Sequence, residues 1–276
     1  MKVRLLTALC AIVVCFLSSG PGRAQDAIPT AVPVVLRSGV AREECFPLNR
    51  LPANLRTEAE RLLLHLLDTE ALYTVIGGLK PMSSGYGTYK LDTKKPNTVP
   101  LEEARQIVAT FRCGDTVIAD ILPFHRVDEK GTRYFEAVVF SRSACEQMVT
   151  TYPDFWAPYG ITRATPPMNI ALLIEHDPTT ARNRGLGYLF GYPKHAVDFF
   201  VSAADAQGET KKFVKRDFIN IATFESPTNR FVYAVPPGYK PAAEDVALRE
   251  KAERILKAYR ERRARYIGPD KPGVAA

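Results

Sequence analysis

The densest chemically useful stretch of this sequence is Gly77-Gly-Leu-Lys-Pro-Met-Ser-Ser-Gly-Tyr-Gly-Thr-Tyr89. Its glycines free the backbone, while Lys80, Ser83, Ser84, Tyr86 and Tyr89 supply donors suited to an anionic or polyhydroxylated ligand. Covalent chemistry fits it less well. Lys80 precedes the serines and the segment follows a helical pattern rather than a strand, so it is not a phosphate loop of the Walker type. Ser83 and Ser84 lack the flanking glycines of a hydrolase elbow, and Pro81 separates the leading lysine from its serine, against a Ser-x-x-Lys nucleophile. The expectation is therefore a non-covalent site built on Lys80, Ser83, Ser84 and Tyr86. The competing explanation is structural, because Gly77-Gly78 with Pro81 just beyond also reads as a helix stop.

Other polar clusters point away from metals and cofactors. In Glu175-His176-Asp177, consecutive helical side chains diverge by about 100°, whereas zinc helices place ligands at i and i+4. No C-x-x-C knuckle occurs, so no metal site is expected. Gly185-Leu-Gly-Tyr-Leu-Phe-Gly191 has its third glycine one place late for a dinucleotide fingerprint and no strand before it, so no cofactor is expected and close helix packing explains it better. His65 falls on an apolar helix face and reads as a core histidine. His125 and His195 are isolated in sequence. A hydrolase would have to assemble distant residues, with Glu70, Ser83, His125 and Glu175 the first to test. A short stretch, Leu189-Phe-Gly-Tyr-Pro193 with Val197 and Phe200, resembles a Gly-Tyr-Pro signature of uncharacterised bacterial families; the likeness covers about a dozen residues and implies no activity.

The N-terminus reads as an export signal over residues 1–24. Lys2 and Arg4 form a basic start, Leu5 to Leu17 is a 13-residue apolar run, and Gly22-Arg23-Ala24 presents small side chains to a peptidase. That run rises about 20 Å as a helix, short of the ~30 Å bilayer core, so cleavage before Gln25 and a secreted or periplasmic location are expected. Cys45, Cys113 and Cys145 then enter an oxidising space. One disulfide is expected, Cys113 with Cys145, since they flank a hairpin that returns the chain near its start; Cys45 is left over.

Residues 25–54 hold four prolines and read as an extended segment. From Leu55, a 3.6-residue period with Thr57 as cap predicts a helix through Val75. Residues 79–100 read as a polar loop, followed by a helix over 101–113. Thr116–Phe124 and Thr132–Ser141 predict a hairpin turning at 128–131, and Ser141 or Ser143 caps the next helix. Two or three helices over 166–206, a second hairpin from 212–224 and 230–235, and a last helix from Ala242 to about Arg265 complete the pattern. Strands and helices do not alternate regularly enough for a doubly wound sheet. The expected fold is α+β, mixed helices with two short antiparallel hairpins, as one globular domain over 55–266 with a flexible tail at 267–276.

Charge narrows the partners. Residues 25–239 hold 24 basic and 24 acidic residues, and residues 240–276 hold 10 and 6. The body has no bias toward a polyanion, so no nucleic acid is expected. The basic end of the last helix is a candidate for an anionic envelope surface. The sequence thus predicts a non-catalytic exported protein that binds a partner or ligand; the alternative is an envelope hydrolase.

Overall fold

The computed structural model describes residues 45–273. The expected signal segment, most of the extended segment and the last three residues lie outside the described residues. The fold is a mixed α+β arrangement in which a four-strand antiparallel sheet and a two-strand hairpin are set among helices.

Strand β4, Thr132–Ser141, is the centre of the larger sheet. On one edge it pairs with β3, Val117–Val127, from Val117↔Ser141 to Val127↔Arg133. On the other it pairs with β1, Met82–Ser83, and β2, Thr88–Asp92. Alternate residues of a strand face opposite sides of its sheet. Accordingly Phe135, Ala137 and Val139 pack into one core with helices α1, Ala53–Asp68, and α3, Val99–Val108. Val138 and Phe140 pack into a second core with α4, Arg142–Thr151, α6, Pro167–Glu175, α7, Ala181–Leu189, and α8, Lys194–Thr210. Burial on both faces explains why its stretch from Ala137 to Phe140 reads as an unbroken apolar run rather than an alternating one.

A third core lies at the hairpin of β5, Asp217–Ile221, and β6, Phe231–Val235. It is closed by α9, Ala243–Tyr266, and by Leu72 and Tyr73 of the short helix α2, Leu72–Val75. Helix α5, Pro153–Trp156, seats Trp156 with no exposure in the second core. The glycines of α7 act as the packing explanation predicted: a Cβ on Gly185 would meet Ile174 at 2.6 Å, and one on Gly187 would meet Val197 at 2.8 Å.

Three expectations are corrected. The first helix starts at Ala53 behind Pro52 and stops at Asp68, so Thr57 lies inside it and caps nothing; the chain breaks at Thr69, whose hydroxyl donates to Leu66 O at 2.9 Å. Residues 79–100 are not only loop, because β1 and β2 lie within them. The disulfide joins Cys45 to Cys113, and Cys145 is a buried free thiol. Cys113 packs against the core of α1 and α3, whereas Cys145 sits in the core on the opposite face of the sheet, its thiol donating to Pro81 O at 3.4 Å. Flanking a hairpin brought the two near in sequence register but on different sides of it.

Pairing of β1 with β4 also buries Lys80. Its ammonium stands 4.5 Å from the Phe231 ring centroid and 5.5 Å from that of Phe190, with no hydrogen bond or ion pair among the described residues. Burial pushes its pKa down to about 8, partly opposed by Glu70. A base with a lowered folded-state pKa favours its neutral form in the fold. Below about pH 8 it is charged in both states and its burial cost is complete; between about 8 and 10.5 the unfolded chain holds a proton the folded chain has released, so stability rises with pH.

Lys80→Met should therefore be more stable than the native chain by about 3 kcal/mol near neutral pH. The gap should close as pH rises from about 8 to 10.5, as urea melts across that range would show. A variant less stable at neutral pH would contradict this. Cys45→Ser opens a closure spanning 68 residues and should cost about 4 kcal/mol. Non-reducing peptide maps should contain the Cys45–Cys113 pair in the native chain; a Cys113–Cys145 peptide would contradict the fold.

Candidate ligand groove

Ser141 ends β4 and caps α4, its hydroxyl accepting from the Ala144 amide at 3.4 Å. The strand thus fixes where the helix starts and which face it turns outward. Cys145, Met148 and Val149 pack into the second core, and Ala144, Gln147, Met148 and Thr151 form an i, i+3, i+4, i+7 stripe along a cleft of about 380 Å³. Helix α9 lines the same cleft with Glu244, Ala247, Leu248 and Lys251 at the same spacing. Two helices therefore supply matching stripes, with small residues at Ala144 and Ala247.

The floor is made by two loops placed back to back, Gly78 to Pro81 and Gly191-Tyr192-Pro193. Gly191 has φ +72°, and a Cβ there would come within 2.9 Å of Leu79 O, so no larger residue fits without separating the loops. At one end, Tyr152 stacks on Tyr188 with ring centroids 3.9 Å apart and 10° between planes. A second cleft, of about 330 Å³, shares Gly78, Ala144 and Gln147 with the first and continues past Thr116, Ser141 and Ser143. The two clefts adjoin at these three residues, the first with aromatic residues in its lining and the second rich in hydroxyls.

The N-terminal end of α9 is held by a buried carboxylate. Asp245 accepts from Tyr233 at 2.5 Å, Tyr239 at 2.8 Å and the Ala242 amide at 2.8 Å. Burial raises its pKa, but these donors and the His195 ring outweigh burial and hold it below the usual carboxylate range. His195, at the start of α8, stacks on Tyr239 and places Nδ1 2.5 Å from Glu244. Glu244 and Lys251 are the only charged side chains that the described residues place along the first cleft, one of each sign. Burial pushes the Tyr192 hydroxyl up to about 12 and raises Tyr152, so both stay neutral donors over the physiological range.

The sequence-predicted residues are placed differently. Of the Gly77–Tyr89 segment, it is the backbone around Gly78, Leu79 and Pro81 that meets the groove. Lys80 is buried; Ser83 is fully buried, with its hydroxyl 2.8 Å from that of Thr74; Ser84 is half-buried. Tyr86 is buried against Phe111, and its hydroxyl finds no partner among the described residues. The four thus form no shared donor surface. Tyr152, Tyr188, Gln147, Thr151, Glu244 and Lys251 were missed, although Gly191-Tyr192-Pro193 marked one side of the groove.

The hydrolase set divides. His125 and Glu175 do meet, with Nδ1 4.0 Å from the carboxylate, which is buried and also held by Arg182 at 2.5 Å. Ser83 lies level with Val139 and Ala119, whereas His125 is six residues further along β3, about 20 Å at strand rise. Glu70 approaches Ser83 only through its backbone carbonyl, 3.4 Å from the hydroxyl. Among the described residues no three His, Cys, Asp or Glu side chains could hold a metal ion, and no helix is long and apolar enough to cross a membrane. No protein-family model matches the chain, and neither a curated protein nor a solved structure shows a significant match.

Proposed function

We propose that this is an exported, non-catalytic binding protein of a bacterial-type envelope, and that the groove between α4 and α9 takes an uncharged, polyhydroxylated chain such as an oligosaccharide. The observation that carries this reading is that the two clefts share Gly78, Ala144 and Gln147 in their linings. Such a groove offers the partly exposed rings of Tyr152 and Tyr192 for apolar sugar surfaces and neutral hydroxyl and amide groups for sugar hydroxyls. Its opposed single charges give a polyanion no net attraction. Export rests on the basic, apolar and small-residue pattern of residues 1–24, and places the protein in the periplasm or outside the cell. The cations at the end of α9 suit an anionic envelope surface outside the groove. The meeting of His125 with Glu175 favours a hydrolase as the second reading, with the imidazole as general base and the buried carboxylate orienting it.

Titration calorimetry with a panel of short neutral oligosaccharides tests the first reading. Gln147 and Thr151 are exposed, so Gln147→Ala with Thr151→Ala should shift stability by no more than about 0.5 kcal/mol for each change. The double variant should weaken binding at least tenfold. Binding unchanged by the double variant, or no binding by a folded native chain, would contradict the proposal; loss of a bond-cleaving activity in His125→Ala would support the hydrolase instead.

A further inference from the structure

Among the described residues, the three most exposed phenylalanines belong to one surface. Phe213 is 69% exposed, Phe218 57% and Phe200 40%, and none contributes to the three cores. The Arg216 guanidinium ties two of them together, 4.8 Å from the Phe213 ring centroid and 5.8 Å from that of Phe200. Phe218 follows Arg216 by two residues at the start of β5, which puts both on one face of the extended chain. Lys211, Lys212, Lys215 and Arg216 lie within the same short stretch. Lys211 donates to Gly208 O and Arg216 to Val214 O, while among the described residues no acidic side chain pairs with any of the four. The nearby Asp217 is engaged by the Gly238 amide at 2.7 Å.

Exposed rings alone would suit a protein partner, but the cores of protein interfaces are depleted in lysine. Phenylalanines among lysines that no described acidic side chain pairs match the bilayer interface, where rings enter the acyl boundary and ammonium groups remain among phosphates. We propose that Phe200, Phe213 and Phe218, with Lys211, Lys212 and Lys215, dock this protein on an anionic lipid bilayer. The patch lies on the α8–β5 connection and does not depend on the groove reading. It is also separate from α9, where acidic residues interrupt the cations and Tyr266 is the exposed ring.

Trp156 is fully buried, so Phe213→Trp adds a surface reporter to the chain as recovered from secretion. Its emission should shift to the blue on phosphatidylglycerol vesicles, stay unchanged on pure phosphatidylcholine, and revert in high salt. In vesicle flotation, Phe213→Ala with Phe218→Ala, and separately Lys212→Glu with Lys215→Glu, should each weaken partitioning at least tenfold with an unchanged melting temperature. Lys130→Glu, exposed in the β3–β4 turn, should leave it unchanged. The proposal is overturned if the folded chain ignores anionic vesicles, if partitioning survives both double variants, or if the patch instead drives self-association in light scattering without vesicle binding.

Discussion

The two-sided burial of β4 is the constraint on which the rest of the structure depends. Ala137, Val138, Val139 and Phe140 have no exposure, yet neighbours in this run belong to different cores. A one-residue slip in register would exchange the two sets and place Phe140 where Val139 fits. The strand is therefore pinned from both faces at once, and its partners on either edge inherit that register. Residues 82–83 and 88–92 acquire strand structure for this reason, although the composition of their segment favours a loop.

The groove follows from the same constraint. Helix α4 begins at the residue that ends β4, so its outward stripe is aimed by the sheet and not by a flexible connection. The opposite wall is fastened at two points along α9. Near its start, Asp245 gathers two tyrosine hydroxyls and a backbone amide. Near its end, Arg263 makes two hydrogen bonds to Asp68 of α1, at 2.8 and 2.9 Å, and Tyr259 donates to the same carboxylate at 2.7 Å. A groove with both walls fixed is preformed, which lowers the ordering cost of holding an extended ligand.

Much of the fold was legible because local signals and tertiary packing agree. Val, Ile and Phe enrichment marked β3 and β4, Asp128 to Gly131 marked their turn, and Ser141 marked the start of α4. Thr57 misled because a serine or threonine three residues before a glutamate resembles a cap, while Pro52 already supplied the helix start. Lys80, Ser83 and Tyr86 misled for a deeper reason. Polar side chains in a glycine-rich stretch suggest exposure, but β1 is drawn against β4 by non-local pairing that no short window records. The cysteine pairing failed likewise, since proximity along a hairpin says nothing about which face of the sheet each thiol occupies. The groove residues were illegible because they come from helices nearly a hundred residues apart, and only the helical spacing within each wall was present in the sequence.

Native-state hydrogen exchange tests the two-sided burial of β4 most directly. If β4 carries both cores, the amides of Ala137 to Phe140 exchange only through global unfolding, and the interior amides of α4 show the same opening free energy. The β5–β6 pair, attached to a third core, opens at equal or lower free energy. Exchange of β4 through a smaller opening than that of β5–β6 would contradict the account, because the groove wall would then rest on a strand that neither core holds.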